Sequence, residues 1–379
     1  MRLTELIGEA LRNIGAGTSK AFAFLLSVAL AGTLLGGYEA YTVIGQEREA
    51  VARVSANADV STILGGSPID GAACDRLTLA ANGPQAAGAM RIAPNVEPAS
   101  TPGRSLSAYE VTPGMLGLVA MGDRSRTLKA DPTGIWVSRD AANDFGLATG
   151  GSLETTDGTV RVAGVYDWPN DGRDTRFAYA VLVPASTDPS RTYQECWAKQ
   201  WPADQDALSA LLYTTVVAAG DSSGGSAGSG GSAGSGGAVN GVMQLNKSFD
   251  RRYDAAALYA GRSTRLAPVV GLAVGLLIGA VSVRRRRLEY AGALHSGQRK
   301  GDQLLGVAVE TLVWAGLGVL AAVGALTVYC WRWSVSAPEA VLFAAVRTPV
   351  ALFAGVMLAA VCSAAVIRES QLFRLFKAR

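Results

Sequence analysis

The sequence predicts a membrane protein with four transmembrane helices and an extracytoplasmic α+β domain inserted between the first and second helices. Of the 379 residues, 49% are apolar and only 17% are charged, whereas about 25% are charged in average soluble proteins. Four apolar segments are each long enough to cross a bilayer, which takes about 20 residues. A long polar stretch separates the first of these segments from the other three.

The distribution of charge predicts the orientation of the chain. Residues 1–20, 284–302 and 368–379 carry net charges of +1, +4 and +3, so the remaining residues carry −5 in a chain of net charge +3. Loops on the cytoplasmic side of a membrane are enriched in Lys and Arg. We therefore expect both termini and the 284–302 loop in the cytoplasm. The polar stretch contains no basic patch, so no nucleic-acid partner is expected.

The chain begins with residues 1–19, whose apolar side chains share one helical face, as in cytoplasmic helices that lie at the membrane surface. The apolar segment 20–44 follows as the first predicted transmembrane helix, and residues 45–54 continue it as a stalk. A cleaved signal peptide is the alternative for this segment, because Ala29-Leu30-Ala31 resembles a cleavage site. The apolar pattern continues past Ala31, which favours an uncleaved helix.

Residues 55–218 have the strand and turn signals of a small α+β domain. A helix is expected between Ser138 as N-cap and Gly146 as its stop, and a hairpin is expected across Asp157-Gly158. This domain contains no histidine, no nucleophile–base pattern and no phosphate-binding glycine loop, so the sequence favours no catalytic role for it. The expected strands and helix cover 134–138, 139–145, 152–156, 159–166 and 178–184.

The four cysteines fall into two groups. Cys74 and Cys196 lie in the polar domain, where an extracytoplasmic location would permit a disulfide between them. Two unpaired thiols are the alternative. Cys330 and Cys362 lie at the end of, or inside, apolar segments. The cysteine spacing matches no metal motif, and the chain has one histidine, so no metal site is expected.

Residues 219–240 form a Gly/Ser/Ala-rich linker, and its regular repeat is typical of either a natural or an inserted low-complexity segment. Residues 241–265 have the pattern of a second helical stalk. The remaining segments are predicted as transmembrane helices over 266–283, 303–330 and 341–367, a cytoplasmic loop over 284–302, an outer loop over 331–340 and a cytoplasmic tail over 368–379 on the inner membrane surface.

Two features lie inside the apolar segments. Gly271, Gly275 and Gly279 recur every four residues on one helical face, which predicts close packing against another helix. Glu310 lies within the third segment, where a carboxylate is costly to bury and is a functional candidate. Pairing with a base at the cytoplasmic end and a role in transport are both open for Glu310. Arg347 is not its expected partner, because it lies at the opposite depth.

The stretch 284–305, RRRRLEYAGALHSGQRKGDQLL, carries the most specific pattern in the chain. The order of spans, polar domain and basic loop resembles the MacB/FtsX-like permeases of ATP-binding-cassette systems, also called type VII or mechanotransmission transporters. The resemblance covers nearly the whole chain, including the polar-domain pattern over 134–169. Leu294 and His295 depart from it, because the family often has Arg-Ala at this place.

The resemblance implies that the chain is a non-catalytic permease subunit of the bacterial inner membrane, with no cofactor of its own. ATP and Mg²⁺ would be bound by a cytosolic ATPase dimer that docks on the 284–302 loop. A second permease chain, identical or different, membrane lipid and an extracytoplasmic protein are the other implied partners. Implied substrates are lipoproteins, peptides, antibiotics or cell-wall hydrolases. The implied docking residues are Arg287, Glu289, Leu294, His295, Gly297, Arg299 and Lys300.

Two other classes of function are compatible with the topology. One is an ATP-independent receptor or adhesin whose extracytoplasmic domain binds a ligand. The other is a membrane-bound hydrolase, which has less support because the polar domain shows no catalytic set. An ATPase partner distinguishes the permease from both.

Overall fold

The computed structural model describes residues 20–121, 130–185, 191–202, 204–217 and 240–368, together with Gly8, Arg12 and Gly15. The chain divides into two compact units, which are described separately. The helical unit is Met1–Glu49 with Ala256–Arg379, and the sheet unit is Ala50–Ala255. The predicted surface helix over 1–19 lies outside the described residues except for the three named positions, which are helical. The linker and the tail also lie outside them, apart from residues 240 and 368.

The helices are numbered in chain order. Four of them are long and apolar enough to cross a membrane, and this confirms the prediction of a membrane protein with four such helices. These four cover Ala21–Ser55, Ser263–Arg285, Lys300–Trp333 and Pro338–Val366. The ten helices of the described residues are α1 Ala21–Ser55, α2 Gly71–Arg76, α3 Pro113–Met121, α4 Arg139–Phe145, α5 Gln205–Tyr213, α6 Ala255–Gly261, α7 Ala267–Arg285, α8 Arg287–His295, α9 Lys300–Trp333 and α10 Pro338–Val366.

The sheet unit contains one mixed sheet of nine strands, which agrees with the predicted α+β domain. The strand order is β5-β6-β4-β7-β3-β2-β8-β1-β9. The pairs β3–β7 and β4–β6 are parallel and the other pairs are antiparallel. The strands are β1 Val60–Asp70, β2 Ala86–Val96, β3 Leu106–Val111, β4 Ile135–Ser138, β5 Ser152–Thr155, β6 Gly158–Tyr166, β7 Ala180–Pro184, β8 Thr192–Lys199 and β9 Gly241–Gln244.

The predicted helical stalk over 241–265 is wrong in its first part. Gly241–Gln244 is strand β9, which pairs antiparallel with β1 at the edge of the sheet. Helical structure begins only at Ala255. The hydrogen-bonding partner of β9 lies far away in the sequence, so the local pattern alone could not identify this strand.

Buried aromatic side chains form the centre of the sheet unit. Trp136, Trp197, Tyr166 and Phe177 are each less than 2% exposed. Buried aromatic polar atoms generally require a partner, and the Tyr166 hydroxyl donates to the carbonyl oxygen of Phe177 at 3.0 Å. The Trp136 indole likewise donates to the carbonyl oxygen of Asp131 at 2.8 Å.

The helix predicted between Ser138 and Gly146 is present, but the Ser138 side chain does not cap it as predicted. Ser138 occupies the N-cap position without a side-chain capping bond. Its hydroxyl instead accepts a hydrogen bond from the backbone amide of Ala180 at 3.2 Å, which joins β4 to β7. Gly146 ends the helix with φ of +63°, a left-handed conformation that glycine adopts without strain.

A disulfide joins helix α2 to strand β8. Cys74 and Cys196 are bonded, with their Cα atoms 5.9 Å apart and a sequence separation of 122. Both sulfurs lie in a buried apolar cluster with Ile63, Ile69 and Tyr193. The bond therefore connects the beginning and the end of the sheet unit through its core.

Asp75 lies beside this disulfide and carries the first testable prediction. The Thr112 hydroxyl and the Gly114 amide donate to its carboxylate at 2.5 and 3.2 Å. Burial raises the pKa of Asp75 above its ordinary value of 3.8, although these two hydrogen bonds lower it. The folded carboxyl thus holds its proton more tightly than the unfolded one. Its contribution to the free energy of unfolding is complete below the unfolded pKa and is lost as the pH rises through the folded pKa.

We therefore expect Asp75→Asn to remove a component of stability that decreases with rising pH. The measurement is the denaturant midpoint of tryptophan fluorescence from about pH 3 to pH 7, compared between wild type and variant. Asp157→Asn, in the exposed turn before β6, is the control. A difference between wild type and Asp75→Asn that stays constant across this range would contradict the prediction.

In the helical unit, α7 packs so closely on α10 that the backbones of the two helices are in contact. A methyl group at Gly275 would lie 2.1 Å from the carbonyl oxygen of Leu352, and one at Gly279 would lie 2.3 Å from that of Val356. Gly355 is equally close to α7, because its Cβ would lie 2.3 Å from the carbonyl oxygen of Leu272. The glycine face predicted from the sequence is thus the face of α7 that contacts α10 within the same chain.

The first helix packs against α9 and α10 through further small residues. A Cβ at Gly32 would lie 3.2 Å from Pro349, and one at Gly36 would lie 3.0 Å from the carbonyl oxygen of Ala345. Pro349 has no amide hydrogen, so it leaves the carbonyl oxygen of Ala345 without its usual helical donor. Gly36 therefore lies at the point where α10 lacks one backbone hydrogen bond.

Candidate coupling site

The loop between α7 and α9 contains the short helix α8, Arg287–His295. Arg286 lies between α7 and α8, and its side chain holds the loop against α9. Its guanidinium Nη1 lies 2.7 and 2.9 Å from the two carboxylate oxygens of Glu310 in α9. The exposed fractions of the two side chains are 13% and 10%, so the ion pair is largely removed from solvent.

A second carboxylate completes the environment of Arg286. Its Nε donates to Glu289, in the first turn of α8, at 2.7 Å. Burial disfavours the charged guanidinium, but the hydrogen bonds and charges of Glu289 and Glu310 outweigh it and raise the pKa of Arg286. One arginine therefore joins α8 and α9 at the end of α7, and it stays charged at every physiological pH.

Tyr290 packs beneath this ion pair. The Arg286 guanidinium lies 5.1 Å from the centre of the Tyr290 ring. The backbone carbonyl of Tyr290 accepts a hydrogen bond from the side chain of Gln303 at 3.1 Å. Burial raises the pKa of Tyr290 to about 12, so its hydroxyl is neutral at physiological pH. Ala291 next to it is fully buried, with Val283 and Val307 in the same cluster.

Lys300 ties the start of α9 to the end of α10. Its ammonium donates to the carbonyl oxygen of Ala364 at 2.9 Å and to that of Ile367. Carbonyl groups in the last turn of a helix lack helical partners, and a cation there also interacts favourably with the helix dipole. Through Arg286 and Lys300, the loop is joined to α7, α9 and α10.

The sequence-predicted docking residues divide into two sets in the structure. Arg287, Glu289, His295, Gly297 and Arg299 are exposed. Leu294 and Lys300 are half-buried, and Lys300 makes structural contacts instead of presenting its charge to solvent. Gly297 has φ of +94°, so it supplies the left-handed turn between α8 and α9.

The sequence prediction missed Arg286 as the partner of Glu310. The four consecutive arginines at 284–287 indicated that a basic partner for Glu310 was available at this end of the membrane. Which of the four side chains contacts Glu310 depends on where α7 ends and α8 begins. It also missed Gln303, which is 3% exposed. Gln303 is a polar residue at the very start of the third apolar segment, and this position was the available signal.

A second buried polar cluster lies in the helical unit, and the sequence prediction missed this as well. Glu39 of α1 accepts hydrogen bonds from Arg262 at 3.1 Å and from the Thr348 hydroxyl at 3.3 Å. The side chains of Glu39 and Arg262 are 1% and 4% exposed. The same signal was present, since Glu39 is a charged residue within the first apolar segment.

Glu47 of α1 holds the connection between α9 and α10. Its carboxylate accepts hydrogen bonds from the Ser334 and Ser336 hydroxyls and from the amides of Ser336 and Ala337, at 2.6 to 2.9 Å. The helices of this unit are thus tied by polar contacts near both ends. Among the described residues, no group of three or more His, Cys, Asp or Glu side chains could hold a metal ion.

Comparison with known proteins adds little to this description. No protein-family model matches the chain, and no curated protein matches it. Among solved structures, a domain of a putative permease protein from Porphyromonas gingivalis is similar with a TM-score of 0.31. The identity is 10%, over 42% of this chain and 83% of that chain. The function proposed for this chain therefore rests on its own residues and contacts and on the resemblance of its sequence pattern.

Proposed function

We propose that the chain is the permease subunit of an ATP-binding-cassette system, and that a separate cytosolic ATPase acts on its helices through the 284–302 loop. One observation supports this most strongly. Helix α8 is anchored by Arg286 and Gln303 on one side and presents exposed polar residues on the other. A short, anchored helix with a free polar face is suited to transmit force from a partner protein.

The contacts of the loop support transmission to several helices at once. Arg286 joins α8 to α9, Lys300 joins α9 to α10, and α7 is in backbone contact with α10. Well-packed elements of this kind move as units, because their interiors have low compressibility. A displacement of α8 is therefore expected to move α7, α9 and α10 together.

The remaining features of the proposal follow from the charge distribution and from the resemblance. The basic loop and both termini face the cytoplasm of a bacterial cell, and the sheet unit lies outside the inner membrane. ATP and Mg²⁺ are held by the ATPase dimer, and a second permease chain completes the membrane part. The movement serves an outer substrate: a lipoprotein, a peptide, an antibiotic or a cell-wall hydrolase.

The proposal is tested by charge reversal on the free face of the loop. The tagged chain is purified from its own cells, and ATP hydrolysis by the co-purified subunits is measured. We expect Arg287→Glu and Arg299→Glu to lower this hydrolysis by at least about tenfold, because rim charges at an interface steer association and like charges repel. Arg265→Glu, an exposed arginine before the start of α7, is the matched control and should leave hydrolysis unchanged.

Two results would count against the permease. If no ATP-hydrolysing subunit accompanies the wild-type chain, the receptor or adhesin becomes the better explanation. If the reversals at Arg287 and Arg299 leave the bound activity intact, the ATPase docks elsewhere and the role assigned to α8 is wrong. Thermal melting of each variant shows whether a loss of activity reflects misfolding.

A further inference from the structure

A cleft opens in the sheet unit where two adjacent strands separate. β2 and β8 pair from Ala86 to Met90, and their pairing ends there. Beyond this point a cleft of about 580 Å³ lies between residues 91–94 of β2 and residues 192–194 of β8. Its further wall is residues 65–68, where β1 leaves its register with β8. The volume is within the range typical of small-molecule sites.

Arg91 and Glu110 line the floor of the cleft, and Arg191, the neighbour of the lining residue Thr192, contacts Glu110 beside it. Glu110 accepts hydrogen bonds from Arg91 on one carboxylate oxygen and from Arg191 on the other. Arg91 uses Nε and Nη2 for this contact, and Arg191 uses Nη1. The other N–H groups of these two guanidiniums have no protein acceptor among the described residues. Two cations around one anion leave these three side chains with a net charge of +1 and with guanidinium N–H groups that the contacts to Glu110 do not use.

A buried hydroxyl at the same place lacks a partner. Tyr193 is 2% exposed, and its hydroxyl makes no hydrogen bond within the described part of the chain. Burial and the nearby Glu110 raise the pKa of Tyr193, so the hydroxyl is a neutral donor at physiological pH. The Arg91 guanidinium lies over the Tyr193 ring at 6.0 Å, and both residues line the cleft. Buried polar groups without partners are uncommon and call for an explanation.

The rim of the cleft is apolar. Ile92 is 64% exposed, although it is a large aliphatic side chain. Pro68 and Pro94, which also line the cleft, are exposed as well. The cleft therefore combines a cationic floor with an apolar edge.

We propose that this cleft binds a small ligand that carries a carboxylate and an apolar group. The forked N–H groups of arginine match the two oxygens of a carboxylate. A monoanion balances the net charge of +1, whereas a dianion would face the neighbouring Glu110 with an uncompensated charge. The apolar group of the ligand would cover Ile92 and the two prolines. This site is independent of any ATPase and holds whether or not the chain is a permease.

The proposal is tested with two probes that differ only in charge, N-acetyl-leucine and N-acetyl-leucinamide. Each is titrated onto the full-length chain in lipid nanodiscs, and binding is followed by ligand-observed NMR. We expect saturable binding of the carboxylate and at least about tenfold weaker binding of the amide, the loss typical of one charge-assisted hydrogen bond. Arg191→Gln should weaken binding of N-acetyl-leucine by a similar factor. Arg161→Gln is the control, because that exposed arginine pairs with Asp131 outside the cleft.

Tyr193→Phe distinguishes a ligand-binding role from a structural one. The hydroxyl has no hydrogen-bond partner among the described residues, so its removal should leave the melting temperature unchanged or raise it. Binding of N-acetyl-leucine should nevertheless weaken several-fold. Three results would overturn the proposal: no saturable binding of N-acetyl-leucine by the wild-type chain, equal binding of the two probes, or full affinity in Arg191→Gln.

Discussion

Replacing Gly275 by leucine is expected to prevent α7 from packing on α10 and to remove most of the folded protein. A side chain there would begin 2.1 Å from the carbonyl oxygen of Leu352 and 3.0 Å from the amide nitrogen of Val356. Both atoms belong to backbone and cannot rotate away. The destabilisation should exceed the roughly 1–3 kcal/mol that extra methylene groups usually cost in a well-packed core.

The measurements are the yield of monodisperse protein in detergent and its melting temperature. Gly316→Leu in α9 is the matched control, because a Cβ at Gly316 meets no atom within 4 Å. The control also adds apolar surface to a membrane helix, so it separates steric exclusion from a general effect of leucine. Equal yields and melting temperatures for the two variants would show that α7 and α10 are not in backbone contact.

Replacing Glu39 by leucine is expected to destabilise the helical unit by about 3–5 kcal/mol, the usual effect of removing one partner of a buried ion pair. Arg262 would remain buried, and the contacts left to its charge among the described residues are the carbonyl oxygen of Tyr259 at 2.6 Å and the Tyr259 ring at 3.8 Å. The Thr348 hydroxyl would also lose its acceptor. The penalty is therefore attributed to the uncompensated arginine and not to the loss of attraction alone.

A double-mutant cycle tests that attribution. Glu39→Leu with Arg262→Met removes both charges, and we expect it to recover much of the stability lost in Glu39→Leu, because well-packed apolar residues can replace a buried pair. Glu339→Leu is the control, since Glu339 is an exposed carboxylate in the first turn of α10. If the two single changes at Glu39 and Arg262 were simply additive, these side chains would not be coupled.

The helical unit was largely predictable from the sequence, because the length of an apolar segment is a local property. The ends of the helices differ from the prediction by a few residues. The third helix was predicted over 303–330 and runs Lys300–Trp333, since its polar terminal residues continue the helix and make contacts there. The glycine repeat on α7 was also a local signal, and these glycines lie against α10 in the structure.

The sheet was predictable only in part. The short strands around 134–184 are local and were recognised, whereas β9 was assigned to a helix because its partner β1 is about 180 residues earlier. The candidate coupling site shows the same limit. The position of the loop followed from its charges, but the burial of Arg286 and the anchoring of Lys300 depend on how three helices meet. The carboxyl of Glu39 was visible in the sequence as a charge within an apolar segment.

The position of β1 in the sheet has a consequence for how the protein is made. β1 is the first strand to be synthesised, yet it pairs with β8 and β9, the last two. Cys74 likewise forms its disulfide with a cysteine that lies 122 positions later in the sequence. Contacts between such distant residues form slowly. A chain interrupted before residue 241 would leave one edge of β1 without its β9 partner, and open strand edges promote aggregation. Completion of the sheet therefore has to wait for residues 241–244, which are synthesised only shortly before α7.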